Sequence, residues 1–206
     1  MGRLRTKFNK FTEGPVGYIV YAAFGIFIAF LLNQTLALAL ATDLPVVAVV
    51  SSSMSHEAEK NVICGKTVQN YDAAFDNWWE ACNNFYAKVN ITKEQFGNFP
   101  IKDGFLRGDL PIIQGEKEYK IGDVIVYSAP CEGAPIIHRI VQINQDGSVQ
   151  TKGDHNVGQI PPQSCSAGTF DEKHVPRDQI HGKVIFVIPK LGYFKVFATS
   201  LLGGSQ

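Results

Sequence analysis

The chain has 206 residues, and its 19 Lys and Arg are balanced by 19 Asp and Glu, for a formal net charge of zero. That length holds one membrane anchor and one domain with its own core, and excludes two full domains beside an anchor. Balanced charge and a pI near 6.9 leave no electrostatic footprint for a nucleic-acid partner, so function has to be read from local features.

Arg3, Arg5, Lys7 and Lys10 come before residues 16–42, which carry no charged side chain. The run "VGYIVYAAFGIFIAFLL" continued by "NQTLALALA" is about 26 residues long, where about 20 cross a bilayer core. Asn33, Gln34 and Thr35 can bond to helix backbone and do not defeat the span. Only Asp43 follows closely, so the positive-inside bias places residues 1–15 in the cytoplasm, 16–42 in the membrane and the rest outside. A cleaved signal peptide is the rival reading, but its apolar core would be only about 7 to 15 residues.

Cys64, Cys82, Cys131 and Cys165 fall in the part expected outside, where disulfides persist. Nearness in sequence suggests Cys64 with Cys82 and Cys131 with Cys165. No Cys-x-x-Cys or His-x-x-x-His spacing points to a metal, and no cofactor is expected.

"LPVVAVV" reads as a buried strand that delivers Ser51, Ser52 and Ser53 at its end. Residues 57–104 differ in character. There Tyr71, Phe75, Trp78, Cys82, Phe85 or Tyr86, and Val89 recur at helical spacing, so "YDAAFDNWWEACNNFYAKV" reads as one amphipathic helix. Its aromatic side fits a core, while Trp78 and Trp79 also suit a membrane interface. The sequon "NIT" at Asn90 permits glycosylation.

Beyond Phe105 the pattern turns to strands: "DLPIIQ", "DVIVYS", "PIIHRIVQI", "SVQTKG" and "KVIFVI", parted by Gly, Pro and Asp-Gly turns. Asp146-Gly147 is a hairpin signal. The expected fold is therefore mostly β: an N-terminal transmembrane helix, then an antiparallel β domain over residues 43–190 interrupted by a helical insertion, 57–104. The remainder, 191–206, is a short apolar tail.

A serine needs a positioned base to attack at neutral pH. Of the five histidines, His138 interrupts an apolar strand, where a polar ring needs a partner. Taken singly, His138, Asp154 in "TKGDHN" and Ser53 each have a bland explanation: a satisfied buried ring, a turn aspartate and a loop cap.

Taken together, "SSSM", "RGDLPII", "IGDVIVYSAP", "PIIHRI", "TKGDHN" and "IHGKVIFVIPKLGY" resemble type I signal peptidases of the archaeal and endoplasmic-reticulum branch, over residues 16–56 and 105–193. The resemblance implies a membrane-anchored serine endopeptidase that removes signal peptides, with Ser53 as nucleophile, His138 as base and Asp154 as the acid supporting it. Ser53 N–H and the Ser51 hydroxyl would bind the oxyanion; two apart in an extended segment, the two side chains share a side. A second acid often follows the Asp motif in this branch, and Asp171, past an apparent insertion, is carried for that role with Asp178 behind it. The chain departs from the branch at Ser52, where Gly is usual, and at His56, where Pro is usual. Implied partners are precursor proteins, membrane lipid and the translocation machinery. The implied location is a cell membrane, crossed once with the catalytic domain outside, or the endoplasmic-reticulum membrane in a eukaryote. Two rivals remain: a self-cleaving β peptidase with Lys152 as base, and a non-catalytic, membrane-anchored interaction module whose working part is the insertion.

Overall fold

The computed structural model of the protein describes residues 14–191. The expected N-terminal cytoplasmic segment lies almost wholly outside these, as does all but the first residue of the apolar tail. The chain divides into two compact units at Leu40/Ala41.

The first unit holds helix α1, Gly14–Ala39, 26 residues long. At 1.5 Å per residue it measures about 39 Å, enough to cross a hydrocarbon core of about 30 Å with tilt. Pro15 sits in its first turn, where a missing N–H costs nothing, and Thr35 Oγ1 donates to Leu31 O at 2.8 Å, so that polar group is satisfied within the helix. By length and composition it is a helix able to span a membrane.

The second unit is built on a five-stranded antiparallel sheet. In chain order its strands are β3 (Leu110–Gln114), β4 (Val124–Tyr127), β5 (Ile136–Ile143), β6 (Val149–Lys152) and β9 (Ile180–Ile188), and their order across the sheet is β3-β9-β4-β5-β6. Strand β4 is buried along its whole length, as expected for a central strand reading Val-Ile-Val-Tyr. One face packs Val49, Met54, Phe105, Ile113, Val124, Val126 and Val184. The other packs Tyr119, Ile125, Tyr127, Ile140, Val149, Phe170 and Val175. Between β5 and β6 the Asp146-Gly147 turn forms as expected: Gly147 has φ +86°, and Asp146 Oδ1 accepts from Ser148 N at 3.0 Å.

The segment "LPVVAVV" is extended but is not a full strand. It runs beside β3 with a bridge between Val46 and Ile112 and bonds from Val47 N to Pro111 O and Val49 N to Asp109 O. Pro45 and Pro111 each remove a donor there, which keeps the ladder incomplete.

The insertion contains β1 (Val62–Ile63), β2 (Lys66–Thr67), α2 (Phe75–Lys88) and α3 (Lys93–Gly97). Helix α2 starts four residues later than the periodicity suggests, because Asp72 Oδ1 accepts from Ala74 N and Asn77 Nδ2 in a turn just ahead of it. Helix α3 opens with a capping box of Thr92 and Gln95. The aromatic side of α2 faces inward: Trp78, Cys82 and Tyr86 join Ile63, Ile91 and Phe96 in a core that also takes Val141 of β5. Trp78 is fully buried, so it belongs to this core and not to an interfacial belt. Both disulfides pair as expected, Cys64–Cys82 and Cys131–Cys165. The second closes a loop onto a short hairpin of β7 (Gln163–Cys165) and β8 (Gly168–Phe170).

Candidate active site

A cleft of about 520 Å³ lies between the extended segment Val47–Ser51 and the start of β5, and Ser51, Ser53, His138 and Asn156 line it. Ser53 is half-buried while His138 is 2% exposed, so the serine reaches solvent beside a ring withdrawn from it. Ser51 Oγ and Ser53 Oγ are 3.2 Å apart, brought together because Ser51–Ser53 bend into a turn where the sequence suggested an extended segment. Ser53 O accepts from His155 N at 2.8 Å, which ties the serine turn to the segment after β6. Gly153 closes the floor: a Cβ there would stand 2.6 Å from His138 Nε2 and 2.7 Å from Ser53 O. Only a glycine lets the base and the nucleophile's backbone approach the same point.

The acid on His138 is not the one expected. Glu172, fully buried, receives His138 Nδ1–H on Oε1. The same oxygen accepts from Thr151 Oγ1 at 3.0 Å and Tyr127 OH at 3.3 Å, and Oε2 accepts from Ile160 N. This carboxylate is locked on both sides, which fixes the imidazole's tautomer and leaves Nε2 toward the cleft. Asp171 turns the other way, its Oδ1 capping Lys173 N at 2.9 Å, and Asp178 is exposed in a short 3-10 turn, Arg177–Gln179.

Asp154 does not support His138; it forms a buried ion pair with the neighbouring residue. Arg139 Nε reaches Asp154 Oδ1 at 3.0 Å and Nη2 reaches Oδ2 at 2.7 Å. Arg139 spends its remaining N–H groups on the carbonyls of Pro100, Gly122 and Ile101. Tyr86 OH donates to Asp154 Oδ1 at 2.9 Å, and His56 Nε2 lies 3.2 Å from Oδ2. Burial alone would raise the Asp154 carboxyl, but Arg139 and the His56 bond outweigh it and hold it well below the usual carboxylate range. Burial pushes the Tyr86 phenol well up, and Asp154 adds to that. With every lone pair engaged, the ion pair meets the condition under which a buried pair is tolerated.

His56, which departs from the branch pattern, is thereby placed. Its ring stacks on Trp78 with centroids 3.8 Å apart and planes 2° from parallel. Its Nδ1 has no partner, so the proton sits on Nε2 and is donated to Asp154, because a bare lone pair costs less than a bare N–H. Ser52, the other departure, donates its hydroxyl to Glu59 Oε2 at 2.7 Å. Neither side chain points into the Ser53–His138 cleft. Lys152, the rival base, is fully buried, bonded to the carbonyls of Gly153 and Asp154. Burial lowers it to about 8.

A second Ser–His–Asp arrangement exists on the surface. Ser128 Oγ is 2.7 Å from His181 Nε2, and His181 Nδ1 is 2.8 Å from Asp43 Oδ1. Asp43 is 70% exposed, so water competes for its charge. Sequence reading did not find this set, because its members lie far apart and none interrupts an apolar run. Among the described residues no cluster of His, Cys, Asp and Glu is arranged to hold a metal ion.

No family model matches the chain. Among curated proteins it is similar to the "Signal peptidase complex catalytic subunit SEC11" of Eremothecium gossypii, 30% identical over 105 residues, 48% of this chain and 60% of the relative. The proteins of the same name from Komagataella phaffii and Lachancea thermotolerans are 31% and 32% identical over 109 and 103 residues. The chain thus spans about three fifths of the length of these curated relatives. Over the matched residues the chain is thus similar to proteins named as catalytic subunits of the signal peptidase complex.

Proposed function

We propose that the protein is a membrane-anchored serine endopeptidase that removes N-terminal signal peptides from precursor proteins. The observation that carries this reading is the shared cleft: Ser53 and His138 line it together, and a buried carboxylate on Glu172 orients the histidine from behind. In this reading Ser53 Oγ attacks the scissile carbonyl as His138 Nε2 takes its proton. Glu172 stabilises the imidazolium, which then protonates the leaving amine; water, activated by the same histidine, releases the acyl group from Ser53. Ser53 N–H and the Ser51 hydroxyl are the donors for the oxyanion, a contribution of about 3 to 4 kcal/mol per donor in other serine enzymes.

Cleft shape supports an extended peptide substrate. Strand β5 pairs with β4 from Ile136 onward but with β6 only from Arg139, so the β6-side edge of Ile136–His138 faces the cleft opposite Val47–Ser51. A peptide laid there adds a strand and presents alternate side chains to apolar walls. Ser53 belongs to the same chain as a helix able to span a membrane, which suits a substrate presented at a bilayer. Basic residues ahead of α1 and two disulfides after it favour an extracytoplasmic domain. Precursors, membrane lipid and the translocation machinery are the partners this implies.

The test is incubation of a signal-peptide-bearing precursor with the full chain in detergent, followed by N-terminal sequencing of the product. A product starting just after the signal peptide is expected from wild type, and none from His138→Ala or from His138→Lys, since a lysine base would have to be desolvated. A full-rate His138→Ala would remove the reading. One observation favours a second nucleophile, the unbroken relay at Ser128, and the same assay on Ser128→Ala decides it.

A further inference from the structure

The insertion's aromatic residues are buried against the peptidase domain, which leaves open what they do for it. Five contacts converge on one short segment, Lys152–His155. Tyr86 and His56 both engage the Asp154 carboxylate. The Lys152 ammonium lies 4.7 Å from the centre of the Tyr86 ring and 5.4 Å from that of Phe85, while it bonds the Gly153 and Asp154 carbonyls. Cys64 N donates to His155 O at 3.2 Å, and Cys64 is bound to Cys82 of α2. From the far end of the insertion, the Pro100 and Ile101 carbonyls take Arg139 Nη1 and Nη2.

That segment forms the rear of the Ser53–His138 pair. His155 N–H holds the Ser53 carbonyl, and Gly153 packs where any side chain would strike His138 Nε2. Arg139 follows His138 directly in β5, so fixing its guanidinium also fixes the strand at the base.

We propose that the insertion is an intramolecular positioning clamp for the peptidase site: Tyr86, the Cys64–Cys82 bridge, and Trp78 acting through the ring of His56 that stacks on it from just ahead of the insertion, hold Lys152–His155, and through it Ser53 and His138, in reacting register. The proposal rests on the peptidase reading and assigns the insertion a role in it. Tyr86 and His56 are positioning residues, since neither lines the cleft. The clamp accounts for the inward-facing aromatic residues better than a partner-docking role does, because Trp78, Tyr86 and Phe96 are fully buried and offer no surface.

The experiment measures kcat and KM for precursor cleavage by the full chain in detergent, well below each variant's thermal midpoint. Tyr86→Phe removes one hydroxyl. It should lower kcat about ten- to hundredfold with KM within about twofold, the scale expected for small misplacements of reacting groups. His56→Leu should do the same, and His56→Gln, which keeps a donor toward Asp154, should recover to within about threefold of wild type. Reducing Cys64–Cys82, by Cys64→Ser with Cys82→Ser, should also lower kcat. A purely structural role would lower the midpoint yet leave kcat of the folded protein unchanged, and that result overturns the proposal. Should Tyr86→Phe fail to fold, the His56 pair decides alone: equal rates in His56→Leu and His56→Gln overturn the clamp, and rescue supports it. Inactive wild type would instead remove the peptidase reading beneath it.

Discussion

Glu172 Oε1 receives the Nδ1–H of His138, although the two residues are 34 apart in sequence and the whole β7–β8 hairpin lies between Thr151 and that carboxylate. Glu172→Gln therefore keeps the volume but loses the charge that stabilises the imidazolium. Precursor cleavage should fall by about 10³- to 10⁴-fold in kcat, the scale seen when a triad acid is neutralised elsewhere. Asp171→Asn should stay within about twofold of wild type, because its carboxylate serves only the turn at Lys173. Equal losses at the two positions would contradict the assignment of Glu172.

Gly153 should tolerate no side chain. Alanine there places a methyl 2.6 Å from His138 Nε2, 2.7 Å from Ser53 O and 2.8 Å from Asn156 Nδ2. One of the three must move, so kcat should drop at least about a hundredfold while stability changes by only about 1 to 3 kcal/mol. Denaturant unfolding beside a cleavage assay separates the two effects.

His56 makes a pH prediction. Burial holds its imidazole below the ordinary 6.5, against the pull of Asp154, with Arg139 lowering it further and Asp103 opposing. A base with a depressed folded pKa takes its proton first in the unfolded chain. Its stabilising contribution is present above about pH 6.5 and lost as pH falls below that value. The midpoint of unfolding should therefore fall between pH 7 and pH 5, and fall less steeply in His56→Gln. Parallel curves would show that His56 does not titrate in this environment.

The Cys131–Cys165 bridge closes a loop of 34 residues. Loop-closure entropy gives about 4 kcal/mol for such a link, so Cys131→Ser with Cys165→Ser should lower the unfolding free energy by about that amount in urea.

Much of this was legible from the residues. Alternation and β-branched runs located the five strands of the main sheet, and the 3.6-residue recurrence located α2, because those patterns report burial directly. The disulfide pairs were also legible, and the serine and histidine that the motifs singled out line one cleft. Strands β7 and β8 were not, since "QSC" and "GTF" are too short and too poor in branched residues to stand out. The acid was missed with them. Its signal is Phe170: Glu172 is two residues on, in phase with a buried aromatic, while Asp171 between them points outward. Asp154 was misassigned because its partner, Arg139, stands directly beside the expected one in β5, on the opposite face of the strand, and alternation alone does not say which face meets a distant loop.

The most direct measurement of the central claim is the rate of precursor cleavage by Ser53→Ala and Ser128→Ala, each purified as the full chain in detergent and shown to be folded. The account predicts no cleavage above background from Ser53→Ala and a rate within about twofold of wild type from Ser128→Ala, a retention expected of an exposed site away from the reaction. Cleavage retained in Ser53→Ala, or lost only in Ser128→Ala, would contradict it.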